Sequence, residues 1–548
     1  MDRSRGHGPL TGQEAGRGAL SGPPGTQRHD HHTARAERRA APQVRGPHDH
    51  GWWQDARMAR EPVLAVPTRF GQPLGPASLD ALAIVLVGAL AAILVLAGAG
   101  EPGSSTALAV GSTLGAAALV LLALRSMELF VLVVLVLRPA VDGLHESDGW
   151  TITDPSTVLA AVFIGVSAVW WIRRLLRGER HPRSWAGLAL AALLLAACVA
   201  TLGSEMPGRS AVEMSRLATA VLMFFVVDRL CEQTQRPDRF VAAVLGAAVI
   251  PVAVALFGPL FGLDRFEVKD GIERAIATFT QSNPLGHFLV IVVLVLAAFV
   301  LVRPGQPRLL AAAAMVPVAL ALVLTYTRLA WVSVVIGGFV MLWVAGRRWV
   351  LPALVLLIVV AAVASPDVGR RIDQLTTPNA AVSGSESGFG WRLGQWSDVV
   401  DLADRNPVTG IGPDVVAARL PNGQPPHNDV LRALVEMGIL GLAAYAAVLV
   451  ALVGIAVAAW RRARGSRSTT VALAFVGVVS SFVVTSVAAN LLGQVVLLWY
   501  VLALAAAAAW VARHGAVPVA TPPAEAELRP ASEPRPDSSL PAARMVAG

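Results

Sequence analysis

Long apolar runs alternate with short polar segments along most of the chain. A helix needs roughly 20 apolar residues to cross the ~30 Å hydrocarbon core of a bilayer, and most of these runs approach or reach that length. Because a helix satisfies its own backbone hydrogen bonds in lipid, the pattern predicts an all-α, polytopic transmembrane helical bundle of about 12–14 spans. We place the spans at 79–99, 107–123, 127–140, 156–173, 186–202, 211–229, 239–261, 285–302, 309–325, 329–345, 350–364, 434–459, 471–488 and 491–511.

Polar stretches divide the chain into parts. The N-terminal stretch is rich in Arg, His, Pro and Gly, and the C-terminal stretch is rich in Pro, Ala and Glu. Such compositions are typical of disordered tails. One long polar loop interrupts the bundle, and loops on a rigid scaffold often carry function. The resulting parts are a tail at 1–75, a transmembrane part at 76–364, the loop at 365–428, C-terminal transmembrane helices at 429–513 and a tail at 514–548.

The composition agrees with a membrane protein. Of 548 residues, 55% are apolar and 15% are charged, and the mean hydropathy is +0.59. A soluble protein carries roughly 25% charged residues. We attribute the net charge of +8 to arginine-rich cytoplasmic loops rather than to nucleic-acid binding. Cys198 and Cys231 fall within or at the end of predicted helices, so no disulfide is expected in the long loop.

Arginines are concentrated in alternate loops. With a cytoplasmic N-terminus, the inside loops contain most of them, and short outside loops such as 100–106 and 203–210 are nearly free of positive charge. The positive-inside rule therefore predicts that both termini are cytoplasmic and that loop 365–428 is extracytoplasmic. The inside arginines are Arg173, Arg174, Arg177, Arg180, Arg183, Arg229, Arg236, Arg239, Arg303, Arg308, Arg347, Arg348, Arg461, Arg462, Arg464 and Arg467.

Few side chains on the predicted outer face can exchange a proton near neutral pH. Only three of the eleven histidines fall there, namely His145, His287 and His427. His427 ends the long loop, directly before a helix that re-enters the membrane, which makes it a candidate for proton transfer. The alternative is a helix-entry residue, with Asn428 or Asp429 as the N-cap.

Two further arginines lie near predicted span ends on that face. Arg328 stands in a break of only a few residues between two apolar spans, and a charge at membrane depth is a candidate functional group because it is costly. The alternative is an arginine that reaches the lipid headgroups, with Trp331 as an interfacial anchor. Arg274 precedes the span at 285–302, and its alternative is an ordinary loop charge paired with Glu273.

The long loop contains a helical pattern. Leu393, Trp396, Val400 and Ala403 recur at helical spacing and predict one face of a short amphipathic helix, which Arg392 opens. This helix either lies on the membrane surface over the candidate functional residues or simply packs on the bundle or the bilayer.

Three blocks of residues follow one another on the predicted outer side. The first runs from Arg274 to Asn283-Pro284, and the second is Thr327-Arg328-x-x-Trp331. The third contains Trp391-Arg392, Asn406-Pro407-x-Thr409-Gly410-Ile411-Gly412, His427-Asn428 and Glu436-x-Gly438-x-x-Gly441. Together they resemble the O-antigen ligase and O-antigen polymerase (Wzy-type) superfamily of bacterial membrane glycan transferases. Leu329 departs from the family pattern, which usually has glycine there, and we expect it to make the turn at Arg328 less permissive.

The resemblance implies a glycosyltransferase of cell-surface polysaccharide biosynthesis, located in the bacterial cytoplasmic membrane. A glycan would pass from an undecaprenyl-pyrophosphate-linked donor to an acceptor hydroxyl at the outer face. The implied partners are this donor, the acceptor and membrane lipids, without nucleic acid, cofactor or metal.

The resemblance also implies roles for individual residues. His427 and Arg328 would be catalytic, with His427 as the base for the acceptor hydroxyl. Arg274, Arg328 and Arg392 would bind the pyrophosphate, because guanidinium groups stay charged and bind phosphate oxygens in pairs. Asn428 and Trp331 would support the site.

Other functions remain open from the sequence. A polytopic transporter or lipid-glycan flippase is the main alternative, although such proteins tend to show internal repeats and charges at the membrane midplane. We find no convincing repeat, and the unusual charges lie at the predicted outer face. A further alternative is another lipid-linked transferase, such as a cell-wall glycan polymerase or a protein O-glycosyltransferase. The donor sugar, the acceptor and the oligomeric state stay open.

Overall fold

The structure is a computed structural model that describes residues 105–144, 154–179, 184–269, 271–348, 389–420, 423–466 and 468–515. The predicted spans at 79–99 and 350–364 and the first part of the long loop lie outside these residues. The predicted tails also lie outside them, apart from the two residues that close the last helix.

The first described part consists of seven α-helices, which follow the predicted spans closely. They are α1 (Ser105–Arg125), α2 (Met127–Leu137), α3 (Pro155–Leu176), α4 (Trp185–Leu202), α5 (Pro207–Thr234), α6 (Asp238–Ala247) and α7 (Val249–Phe257).

Local sequence signals explain several of these boundaries. The side chain of Ser126 accepts a hydrogen bond from Leu129 N at 3.2 Å, so it caps α2 and separates it from α1. Proline occupies the first turn of α3 and of α5, where its missing N–H costs nothing. The predicted span at 239–261 is broken at Ala248, because the ring of Pro251 interferes with the carbonyl four residues earlier.

A small hairpin and three helices come next. Strand β1 (Phe266–Lys269) pairs antiparallel with β2 (Ile272–Ala275), with Glu267 opposite Arg274. The sequence analysis predicted only helices and missed this hairpin. The helices that follow are α8 (Ser282–Val302), α9 (Gln306–Leu324) and α10 (Arg328–Val344).

The last described part contains the loop helices and the C-terminal helices. They are α11 (Phe389–Ala403), α12 (Val416–Arg419), α13 (Asp429–Ala463), α14 (Thr469–Thr485) and α15 (Val495–His514).

Eight helical segments in the described ranges are long and apolar enough to cross a membrane, with α6 and α7 counted together as one segment (Asp238–Phe261), and four shorter apolar helices accompany them. The prediction of a polytopic helical membrane protein is thus confirmed. Helix α15 is apolar all round, and 89% of its most apolar stretch is buried inside the protein. It therefore lies at the centre of the bundle. Its Trp499 donates a hydrogen bond from Nε1 to Oγ1 of Thr219 on α5 at 2.8 Å.

Two groups of helix ends matter for function. One face of the bundle contains the first residues of α13 and α15 and the last residues of α14. We call it the His427 face, because the loop that leads into α13 lies there. The opposite face contains arginines at or just beyond the C-terminal ends of four helices, namely α3, α5, α8 and α13. We call it the arginine face. There Arg303 donates to Oγ1 of Thr470 at 2.9 Å, and Arg513 pairs with Glu232 at 2.8 Å.

Candidate functional site

His427 sits at the entrance to α13 in an unusual backbone conformation. Its φ is +51°, in the left-handed region that a non-glycine residue adopts at a cost of about 1–2 kcal/mol. The half-buried ring has Nδ1 at 3.1 Å from Nδ2 of Asn490. Strained residues that persist in a fold tend to cluster at functional sites, and His427 is one of five non-glycine residues with a positive φ in the described ranges.

The residues after His427 anchor it from the α13 side. The Asn428 side chain accepts hydrogen bonds from the N–H groups of the residues two and three positions later, at 3.0 and 3.2 Å, which confirms it as the N-cap. Asp429 is fully buried, and its carboxylate accepts hydrogen bonds from the backbone N–H groups of Leu491 and Leu492 at 3.1 and 3.0 Å. Asp429 therefore fixes the segment 490–494, which carries Asn490 to the histidine ring.

Helix α11 anchors the chain on the other side of His427. Nε2 of Gln395 donates to the Gln424 carbonyl at 3.0 Å, and Nε1 of Trp396 donates to the Pro426 carbonyl at 2.8 Å. The amphipathic helix of the sequence prediction thus exists and holds the segment that leads into His427.

The buried face of α11 differs from the predicted one. Val400 is 46% exposed, whereas Val399 and Leu402 are buried against the polar loop. The sequence placed Val400 on one apolar face with Trp396 and Ala403, whereas the residues that pack inward are Gln395, Val399 and Leu402. The amide of Gln395 lies on this inward side, where it binds the loop carbonyls.

Residues 407–412 insert into a break in α13. The break falls at Gly438, whose φ of 67° and ψ of −166° are non-helical. Around it, Ile439 N donates to the Pro407 carbonyl at 2.9 Å, and Gly412 N donates to the Glu436 carbonyl at 3.0 Å. The loop therefore takes up backbone groups that an unbroken helix would have paired internally.

Two glycines make this close approach possible. A Cβ on Gly410 would come within 2.3 Å of the Glu436 backbone, and a Cβ on Gly438 would come within 2.1 Å of the Val408 carbonyl oxygen. Both glycines belong to the family-like blocks noted in the sequence. Their spacing is thus explained by backbone contact between the loop and α13.

A buried ion cluster fastens the same loop to α5 and α13. Arg432, 4% exposed, lies at 3.0 Å from Glu436, 3.1 Å from Glu213 and 3.7 Å from Asp414. Removing one partner from such a cluster leaves an uncompensated buried charge and costs about 3–5 kcal/mol. Arg432 therefore holds α5, α13 and the loop in one arrangement beside His427.

Arg328 is the first residue of α10 and is exposed at the His427 face. The tight turn before it is made by Tyr326, which has a φ of +48°. Leu329 is the second residue of the helix, and the left-handed residue of the turn is Tyr326. Nε1 of Trp331 donates to the Leu322 carbonyl at 3.4 Å, which closes the turn between α9 and α10.

Arg274 lies in strand β2 and is 7% exposed, opposite Glu267. Its neighbour Glu273 points to the other face of the strand and is exposed, as alternation along a strand requires. Glu267 accepts a hydrogen bond from Ser282 N at 3.0 Å, which joins the hairpin to the start of α8.

A chain of polar contacts connects these positions along the His427 face. Thr327, next to Arg328, hydrogen-bonds to Asn283 at 3.3 Å in the first turn of α8. One turn later, Nδ1 of His287 lies 3.1 Å from Oε1 of Gln494, at the end of segment 490–494. The structure thus brings Arg274, Arg328 and His427 to one face.

Other predicted residues are placed less fully. Arg392 belongs to α11, but its side chain lies outside the described residues, and His145 lies outside them altogether. In the described ranges, no group of three or more His, Cys, Asp or Glu side chains is arranged to hold a metal ion.

Arg265 supports the connection between α2 and the hairpin. Its Nε donates to the Ala277 carbonyl at 2.8 Å, and its partial burial lowers the pKa of the guanidinium from its usual value. Arg265 acts here as a structural donor to the backbone.

Sequence reasoning missed three residues of the site, namely Asn490, Arg432 and the anchoring role of Asp429. Asn490 had a local signal, since it is a polar residue at an apolar span end. Arg432 and Glu436 also had a sequence signal, because an acidic residue four positions after an arginine on an apolar helix indicates a buried ion pair.

Comparison with known proteins adds family evidence. Residues 310–446, from within α9 to within α13, match the family model described as O-antigen ligase. The match contains Arg328, Trp331, Arg392, His427 and Asn428, but it begins after Arg274. No curated protein matches the chain.

Proposed function

We propose that this chain, a member of the O-antigen ligase superfamily by the match over residues 310–446, transfers a glycan from an undecaprenyl-pyrophosphate-linked donor to an acceptor hydroxyl. The observation that carries the proposal is the strained His427, held between α11 and α13 with its ring on Asn490. A ligase and a polymerase of cell-surface polysaccharide both fit this chemistry.

His427 acts in this proposal as the general base. An amide can present either its oxygen or its NH₂ group, and we assign Oδ1 of Asn490 as the acceptor of Nδ1–H. The other ring nitrogen, Nε2, then takes the proton of the acceptor hydroxyl. As that proton leaves, the acceptor oxygen bonds to the anomeric carbon and the bond to the pyrophosphate oxygen breaks. Such assistance is worth ~10²–10⁴ in rate.

Arginines stabilise the departing pyrophosphate in the same proposal. Arg274 and Arg328 reach the His427 face, and Arg392 lies near the start of α11, which begins at Phe389 rather than at Arg392 and holds the segment before His427. A well-placed donor to developing negative charge contributes about 3–4 kcal/mol. Asn428 and Trp331 support the site by fixing the start of α13 and the turn before α10.

The charge distribution supports an outward-facing site in the cytoplasmic membrane. Arginine-rich helix ends lie opposite the His427 face, as the positive-inside rule expects for cytoplasmic ends. At the arginine face, a hydrogen bond from Arg229 at 2.9 Å lowers the pKa of Glu179 from its usual value. We therefore assign the His427 face to the outer side and both termini to the cytoplasm.

The test replaces His427 by asparagine in the native host. Asparagine tolerates a left-handed φ and retains an amide for Asn490, but it cannot act as a base. We expect normal membrane insertion, accumulation of the lipid-linked donor and a fall of at least ~100-fold in transfer to polymer. Arg328→Gln should cause a similar accumulation. His514→Asn, a histidine replacement at the arginine face, is the matched control and should leave transfer unchanged.

Two outcomes contradict the proposal. Unchanged donor and polymer in both variants would mean that transfer does not occur at His427. Accumulation of lipid-linked glycan in the cytoplasmic leaflet alone would mean that the step lost is translocation, which is the activity of a flippase.

A further inference from the structure

A basic cleft opens at the arginine face between the C-terminal ends of α1 and α3. Its volume is ≈510 Å³, within the usual range for ligand sites. Four arginines line it, namely Arg125 of α1, Arg173 and Arg174 of α3, and Arg177 directly after α3. We call it the Arg174 cleft. It lies at the face opposite His427 and is therefore separate from the proposed site of transfer.

Positive charge dominates this cleft. Among the described residues that line it, no carboxylate accompanies the arginines. Arg125, Arg173 and Arg177 are exposed, and none of them forms an ion pair with a described residue. Charges of one sign that are gathered in a cleft repel one another, and a bound anion relieves that repulsion.

The fourth arginine, Arg174, is held in place by two neighbours. Its guanidinium carbon lies 4.3 Å from the centre of the Trp170 ring. The guanidinium also pairs with Glu179, which accepts a second hydrogen bond from Arg229 of α5 at 2.9 Å. Because one carboxylate serves two guanidinium groups, this end of the cleft keeps a surplus of positive charge.

The remainder of the cleft is apolar. Val162 and Val166 line it from α3, and Val120 and Leu124 line it from α1. From Val162 to Arg173 the α3 wall extends ~16 Å, about half of the ~30 Å hydrocarbon core of a bilayer. The apolar part thus matches the depth of one leaflet.

The cleft is open to the surface of the bundle. Only 28% of the most apolar stretch of α3 is buried, while Leu124 is 69% exposed and Val169 is 50% exposed. Trp170 lines the cleft beside the arginines, and tryptophan is typical of the boundary between membrane and water. These features place the arginines at the level of the lipid headgroups and the valines at the level of the acyl chains.

Charge and shape together select the ligand. Guanidinium groups bind phosphate oxygens in pairs, and an acyl chain covers apolar side chains that would otherwise line an open groove. The headgroup must carry a net negative charge, because the ammonium group of a zwitterionic lipid would be repelled by the arginines.

We propose that the Arg174 cleft binds one anionic phospholipid, with its phosphate among Arg125, Arg173 and Arg177 and one acyl chain between α1 and α3. The lipid joins the ends of these two helices by neutralising the arginines that both contribute. The inference does not depend on the proposed transfer, because no residue of the His427 face lines the cleft.

Lipid titration of the purified, delipidated full chain, read by native mass spectrometry, tests the inference. The probes are phosphatidylglycerol and phosphatidylethanolamine with identical acyl chains. We expect the unmodified chain to bind its first phosphatidylglycerol at least ~10-fold more tightly than phosphatidylethanolamine. Arg125→Gln/Arg173→Gln, which changes two exposed side chains, should remove this preference. Gly165→Leu fills the groove at a position where a Cβ meets nothing within 4 Å, so it should weaken binding of both lipids and leave the preference.

The matched control is Arg461→Gln/Arg464→Gln. It removes two exposed arginines of the same face that lie outside the cleft, and it should keep the preference for phosphatidylglycerol. Loss of the preference in this control as well would mean that the lipid responds to the general charge of the face and not to the cleft.

Three further results would overturn the inference. Equal affinity of the unmodified chain for the two lipids would exclude recognition of the headgroup. Unchanged binding in Gly165→Leu would exclude an acyl chain from the groove and leave it to another occupant, such as the predicted span at 79–99. Displacement of phosphatidylglycerol by an equal concentration of glycerol 1-phosphate would reduce the cleft to a phosphate site without a lipid groove.

Discussion

Gly438→Ala should release the polar loop from α13. The backbone of Gly438, with φ 67° and ψ −166°, lies in a region that is essentially confined to glycine, and a side chain there costs about 1–3 kcal/mol. The added Cβ would also lie 2.1 Å from the Val408 carbonyl oxygen, so the loop must move away. Since the backbone fixes the position of a Cβ and its partner is a backbone oxygen, a change of rotamer cannot relieve the contact.

The size of the effect follows from the bonds around the break. Moving the loop weakens the hydrogen bonds from Ile439 N to the Pro407 carbonyl, at 2.9 Å, and from Leu440 N to the Val408 carbonyl, at 3.5 Å. Each such bond contributes about 0.5–1.5 kcal/mol net. With the backbone strain, we expect local destabilisation of about 3–4 kcal/mol.

Hydrogen exchange of the solubilised protein measures this effect locally. The amides of Ile411 and Gly412, which donate to α13 carbonyls at 3.0 Å, should exchange roughly 10²- to 10³-fold faster in the variant. Glycan transfer should fall as well, because the loop leads into His427.

Gly454→Ala is the matched control on the same helix. A Cβ there meets nothing within 4 Å, so the substitution should leave loop exchange unchanged and stabilise the helix by up to about 1 kcal/mol. If Gly438→Ala exchanges its loop amides as slowly as Gly454→Ala does, the loop is not held by the break, and the explanation of the two glycines is wrong.

Two further changes test the anchors of His427. Asp429→Asn should loosen segment 490–494, because the amide keeps only one acceptor oxygen, so one of the two backbone N–H groups loses its acceptor and faces an NH₂ group. Transfer should fall more than tenfold while His427 remains, and unchanged exchange at 490–494 would contradict the role. Trp396→Phe removes the 2.8 Å hydrogen bond to the Pro426 carbonyl and should cost about 0.5–1.5 kcal/mol, read as lower thermal stability and a several-fold loss of transfer. Ser397→Ala, exposed on the same helix, should change neither, and equal effects of the two substitutions would refute the anchor.

Local patterns were enough for the helical framework. Apolar runs of helical length predict spanning helices wherever they occur, because a backbone in lipid must satisfy its hydrogen bonds within one segment. The N-cap at Asn428 and the helix at Phe389–Ala403 were also readable, since both depend on neighbours a few residues away.

The contacts that build the site depend on distant parts of the chain. Asn490 is 63 residues from His427, and Glu213 is 219 residues from Arg432. No periodicity encodes such pairings, because they arise only when packed helices bring their ends together. The buried side of α11 also depends on a distant contact, since Gln395 donates a hydrogen bond to a loop carbonyl 29 residues away.

The sequence by itself therefore determined that this chain is a helical membrane protein with a polar loop ending at His427. Only the tertiary structure decided how that histidine is held. It placed Asp429 under segment 490–494 and inserted residues 407–412 into the break at Gly438. The physical reason is that helix formation is governed by nearby residues, whereas buried polar groups take the partners that packing brings to them.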